Sequence, residues 1–173
     1  MNSLNTKKIA IGGVLLALSL AMLFGATFVP GIELTLYTLS SVCVAIMILE
    51  FSPGAGLLLY FATVMLSFAL VPNKAGIIPY TIFFGIYAVV KYYIENYRKL
   101  PRPVEIILKL IFCNSMFFVG VHFFGALFTG AVQIPDMALP IILVGAQVFF
   151  LAYDYLLTLV ISFYLRRRPK ARQ

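Results

Sequence analysis

"GVLLALSLAMLFG", residues 13–25, is the stretch that decides the fold. It lies inside an apolar run from Ile9 to about Phe28, preceded by Lys7 and Lys8. About 20 apolar residues suffice for an α-helix to cross a bilayer. The run is longer than the apolar region of a signal peptide, typically about 7–15 residues, and no convincing small-x-small cleavage site follows. It is therefore expected to remain as a transmembrane helix. Gly13, Ala17, Ala21 and Gly25 recur every fourth residue, which puts them in one slowly drifting stripe. In lipid, small side chains let two backbones approach and gain dispersion contacts. The stripe either packs within the protein's own bundle or docks another subunit.

The rest of the chain extends this pattern. Of 173 residues, 62% are apolar and 11% are charged, against about 25% charged in a soluble domain. So little polar surface cannot cover a water-soluble globule. The net charge of +7 does not point to nucleic acid, because the basic residues lie between and after the apolar runs, as membrane anchors do. Cys43 and Cys113 both lie within apolar runs and read as small packing residues.

Pro- and Gly-containing breaks divide the sequence into six apolar segments, at about 8–28, 33–50, 55–71, 77–95, 104–129 and 138–165. The spacing predicts an all-α, polytopic membrane helix bundle with six transmembrane helices in a single domain, followed by a basic tail, 166–173. Six spans put both termini on one side. Lys7, Lys8, Lys91, Arg98, Lys99, Arg102, Lys109 and the five basic residues of the tail fall on that side, and Lys74 on the other. Positive charge marks the cytoplasm, so both termini are expected there. The "VPG", "PNKAG" and "TGAVQIPD" loops then face outward. The tail is suited to anionic lipid headgroups.

Several chemistries are not encoded. There is one histidine, so no HExxH zinc site, and no Gly-rich phosphate loop. No GxSxG occurs, and no acidic cluster suits Mg²⁺. An enzyme, a metal site and a bound cofactor are not expected. Few polar residues line any helix, which disfavours a free-standing channel.

Ionisable groups within membrane segments are functional candidates by default. Asp154, in "LAYDYLL", is twelve residues before Arg166, about 18 Å along a helix. His122, in "VGVHFFG", is thirteen residues after Lys109, about 20 Å. Measured from those basic residues the two share a depth, so they are expected to face each other or flank one site. Ser115 is too far along the helix to serve such a pair as a nucleophile. Gln147, Leu151, Asp154 and Thr158 share a helix face, as do Asn114, Phe118 and His122. Tyr80, Phe84, Tyr87 and Lys91 form a third stripe. An aromatic wall opposite a few polar groups is how a small-ligand pocket is built. Tyr80, Phe84, Tyr87, Asn114, Phe118, His122, Gln147 and Asp154 are thus the candidate ligand-binding residues. Bundle packing, with Tyr37 and Tyr80 in an interfacial belt, is the competing reading. Glu33, Lys74, Gln133 and Asp136 fall in or beside outer loops, and Lys91 and Glu95, four apart, are placed to pair.

The Ala17-x-x-x-Ala21 pair in the first helix, six helices in about 170 residues and both termini inside resemble the substrate-binding S component of energy-coupling factor (ECF) transporters. The resemblance implies that this pair contacts a transmembrane coupling subunit. It further implies that two ATPase subunits energise the complex, and that a small vitamin-like solute binds from outside. Gly13, Ala17, Ala21 and Gly25 would be the docking face, in a prokaryotic plasma membrane. The size and helix count are also similar to MreD-like cell-shape proteins, which would imply a membrane scaffold without a ligand. "VPGIEL" departs from the Pro-Asp pattern of those proteins.

Overall fold

The computed structural model describes residues 3–29, 31–96, 101–129 and 139–167. These residues are all helical apart from short turns. Arg98, Lys99, Gln133, Asp136 and tail residues 168–173 lie outside them. The helices are α1 (Ser3–Phe28), α2 (Glu33–Glu50), α3 (Pro53–Leu70), α4 (Lys74–Pro79), α5 (Gly85–Asn96), α6 (Arg102–Thr129) and α7 (Leu139–Arg167). Between α4 and α5, residues Tyr80–Phe84 form one wide π turn, so Lys74–Asn96 runs as a single interrupted span. Counted that way, six helices are long and apolar enough to cross a membrane.

The helix ends follow local chemistry. Ser52 caps α3 by accepting from the Ala55 amide at 3.2 Å, with Pro53 in the first turn, where a missing N–H costs nothing. Asn73 caps α4 by accepting from the Gly76 amide at 3.2 Å. Gly31, between α1 and α2, has φ +93°, a left-handed conformation that glycine adopts without a Cβ penalty.

Two compact units make up the chain, Met1–Glu105 and Ile106–Gln173. In the first, α1 packs on α2 and α3, and both α2 and α3 pack on α5. The core is drawn from Leu15 and Leu23 of α1, Val44 and Ile48 of α2, Leu59 and Tyr60 of α3, and Ile77, Tyr80, Phe84 and Tyr87 of the interrupted span. The α2–α3 hairpin is tight because Gly56 carries no side chain. A Cβ there would lie 2.2 Å from Ile48 Cγ1 and 3.3 Å from the Val44 carbonyl oxygen. Leu58, Phe61 and Met65 of α3 are exposed. Such a face would aggregate a soluble protein, but it matches acyl chains.

In the second unit, α6 and α7 are joined by paired polar side chains. Lys109 Nζ lies 3.0 Å from Asp154 Oδ2, and the Gln147 amide donates to Asn114 Oδ1 at 3.4 Å. Five residues forward on α6 correspond to seven backward on α7, the register of an antiparallel hairpin.

Candidate functional site

The interrupted span is the first place where structure departs from a plain helix. Pro79 has no N–H for the carbonyl four residues before it. The Tyr80 amide bonds to the Ile77 carbonyl, and the Gly85 amide reaches back five residues to that of Tyr80. In hydrocarbon, backbone carbonyls displaced in this way must find other donors. Here side chains supply them. The Tyr37 hydroxyl of α2 donates to the Gly76 carbonyl, the Tyr60 hydroxyl of α3 to the Thr81 carbonyl at 2.7 Å, and the Thr81 hydroxyl to the Ile77 carbonyl at 3.0 Å. Two tyrosines from neighbouring helices therefore hold the bend.

Tyr80, Phe84 and Tyr87 are all buried here, at 0%, 3% and 0% exposure. Phe84 packs on Tyr37 with ring centroids 5.6 Å apart. Phe83 stacks on Tyr87 at 6.3 Å and 7°. The expected aromatic wall thus exists as part of the first unit's core. Tyr37 and Tyr80, considered as interfacial belt residues, are both buried in the first unit, and the Tyr37 hydroxyl donates to the Gly76 carbonyl of α4. Lys91 is buried and pairs with Glu95 at 2.8 Å, as their spacing suggests.

The remaining candidates lie in the second unit. Asp154 is paired with Lys109, and the Thr158 hydroxyl donates to the Asp154 carbonyl at 2.8 Å. His122 is thirteen residues along α6 from Lys109, about 20 Å, so the structure does not bring it to Asp154. The expectation of a shared depth fails because Lys109 does not belong to the charged belt. It is a buried residue at the level of Asp154 itself. His122 instead stacks on Phe118, centroids 5.8 Å apart and planes within 8°, with Phe123 edge-on at 5.2 Å.

The faces expected to point inward are also rotated. Among the residues of α6 whose burial is described, Lys109 and Cys113 are buried, whereas Asn114, Phe118 and His122 are exposed. Asn114 does not require burial for a partner: its amide donates to the Leu110 carbonyl at 3.0 Å and its oxygen receives Gln147. On α7 the buried stripe is Phe150, Tyr153 and Leu157, with Asp154 at its edge, while Leu151 and Thr158 are exposed. The eight candidates therefore fall into four groups: Tyr80, Phe84 and Tyr87 in the first unit, and the Asn114–Gln147 pair, the Phe118–His122 stack and the Lys109-bound Asp154 in the second.

The small-residue stripe has a clear orientation. Leu15, Ser19, Leu23 and Ala26 form the buried face of α1. Gly13, Ala17 and Ala21 are exposed, and Gly25 is half-buried. A Cβ at Gly13 would meet nothing within 4 Å. Packing within the first unit therefore accounts for Gly25 but not for the other three.

A buried hydroxyl cluster went unnoticed in the sequence: Ser19, Ser40 and Thr63, each at 0% exposure, beside Cys43 and Tyr80. Serines and threonines are common in membrane helices. Their meaning emerges only when one from each of three helices falls at the same level. Lys109 was also passed over as a partner for Asp154, although both were visible as charges inside apolar runs.

No protein-family model matches the chain, and neither a curated protein nor a solved structure does.

Proposed function

We propose that the chain is the substrate-binding integral membrane subunit of an ECF-type uptake transporter, taking up a small, partly apolar, vitamin-like solute. In this reading both termini are cytoplasmic, the membrane is a prokaryotic plasma membrane, and hydrolysis of ATP belongs to two partner ATPases acting through a coupling subunit. The observation that carries it is the outward direction of Gly13, Ala17 and Ala21. A helix needs no small stripe to face lipid, since Leu or Phe serves there equally well. A small stripe does suit close approach by another membrane helix.

A second reading, an MreD-like scaffold without a ligand, is favoured by the Lys109–Asp154 pair. An unpartnered carboxylate at that depth would argue for a solute. One that pairs with a lysine of its own hairpin already serves to fix two helices.

The experiment is a tagged pull-down in mild detergent with wild type and Ala17→Leu/Ala21→Leu. Transport predicts that a coupling subunit and ATPases co-purify with wild type and are lost from the double variant. Cell-wall proteins in their place would support the scaffold, and no co-purifying protein would remove both readings.

A further inference from the structure

We propose that the interrupted span, Lys74–Asn96, is a helix with two registers, and that Tyr60 of α3 is the latch that holds it in the wide one. The inference does not rest on the transport reading.

The backbone groups of the turn define the latch. In an α-helix the Gly85 amide would bond to the Thr81 carbonyl, four residues before it. Here it bonds to the Tyr80 carbonyl, five residues before, and passes Thr81 over. A backbone carbonyl without a donor is costly in an apolar surrounding. The Tyr60 hydroxyl supplies that donor at 2.7 Å. The acceptor of Tyr60 is thus the group that the wide register itself vacates, and the donor comes from a different helix. The fit is close. An added Cβ at Gly85 would lie 2.7 Å from Cδ2 and Cε2 of the Tyr60 ring, so the ring reaches the turn across a position that leaves it room.

Closing the turn would move the Gly85 amide by one carbonyl, from Tyr80 to Thr81, and would release the Tyr60 hydroxyl. No amide of the turn loses its bond in this exchange, and Pro79 has none to lose. What changes hands are hydroxyl contacts between membrane helices, those of Tyr60 and of Tyr37 on the Gly76 carbonyl. Such contacts are weak enough to be exchanged.

One register step turns a helix by about 100° and shifts it by about 1.5 Å. On the far side of the turn, α5 is packed on both α2 and α3, so the step falls to the shorter half, Lys74–Pro79. That half is tied to α3 at its start as well, because Lys74 Nζ donates to the Phe68 and Val71 carbonyls at the end of α3. α3 therefore holds the half from both ends, through Lys74 and through Tyr60. A displacement of α3 that withdraws the Tyr60 hydroxyl becomes a rotation of the first turns of the span.

The test is NMR of the full chain in lipid nanodiscs, reading the Gly85 amide and the Thr81 carbonyl carbon. Tyr60→Phe removes the hydroxyl and keeps the ring. The expected result is that both signals move to the positions of a regular helix and that those of Ala75 and Gly76 move with them, while the Gly56 signals of the α2–α3 hairpin stay in place. A change at the Thr81 carbonyl alone, with the Gly85 amide unmoved, would mean that the wide turn stands without the hydroxyl, and would overturn the proposal. If Tyr60→Phe does not elute as a single species, relaxation dispersion is read on the wild type, since register shifts of helices fall in the microsecond-to-millisecond range. Exchange at the Gly85 amide and none at Gly56 is then the expected result, and a flat profile at Gly85 would overturn the proposal.

Discussion

At the residue scale the second unit turns on Lys109 and Asp154. Each side chain is largely buried, at 8% and 17% exposure. Removing one partner takes a close ion pair out of a largely buried site. Asp154→Ala is expected to destabilise the protein by about 3 kcal/mol, read as a lower Tm in detergent. Lys109→Met/Asp154→Leu, which replaces both charges with apolar groups of similar size, should recover most of that loss. Tyr60→Phe probes a milder contact. It deletes only the hydroxyl that the Thr81 carbonyl accepts, and hydrogen bonds between membrane helices are weak because alternatives exist, so a loss of about 1 kcal/mol in thermal unfolding is expected. Tyr60 and its counterpart Tyr37 were hard to read in sequence. A tyrosine in an apolar run has the same appearance whether it faces a headgroup or a bent backbone, and the bend itself arises from one proline.

At the element scale the tight places are glycines, and they are not equivalent. A Cβ on Gly85 would come within 2.7 Å of two ring carbons of Tyr60, the residue that secures the π turn. Gly85→Ala should therefore destabilise by about 2 kcal/mol, as overpacked cores do. Gly13→Ala meets nothing and should hold or raise the Tm of the isolated chain, by at most about 1 kcal/mol from helix propensity. Comparing the two by thermal unfolding separates crowding from propensity. The helices themselves were legible, since Pro and Gly at "VPG", "SPG" and "PNKAG" broke the apolar runs close to the observed ends. The π turn was not, because the stripe Tyr80, Phe84, Tyr87 and Lys91 fits an unbroken helix equally well. The facing of α6 and α7 was misread for a related reason. Polar side chains were assumed to point inward, yet Asn114 and Thr158 satisfy themselves on carbonyls of their own helices.

At the scale of the whole molecule there are six apolar spans, and on the first of them the exposed Gly13, Ala17 and Ala21 lie among exposed Val14, Leu18 and Phe24. The charge asymmetry from which both termini are expected in the cytoplasm rests on loops and termini, since Lys91 and Lys109 are buried and paired. In intact cells, with both native cysteines replaced by serine, Ile32→Cys should react with a membrane-impermeant maleimide. Pro103→Cys should react only after permeabilisation, and the reverse pattern would invert the topology. The six spans could be read from sequence because they depend on composition, whereas a ligand could not, because it depends on which faces meet. The most direct test of the central claim, that α1 docks a partner through its small-residue stripe, is photocrosslinking in native membranes from a benzophenone residue at position 17. The control is the same residue at Met65, which is 72% exposed on α3. The account predicts one discrete protein adduct from position 17, identified by mass spectrometry as a membrane coupling subunit, and none from position 65. Lipid adducts alone at both positions would contradict it.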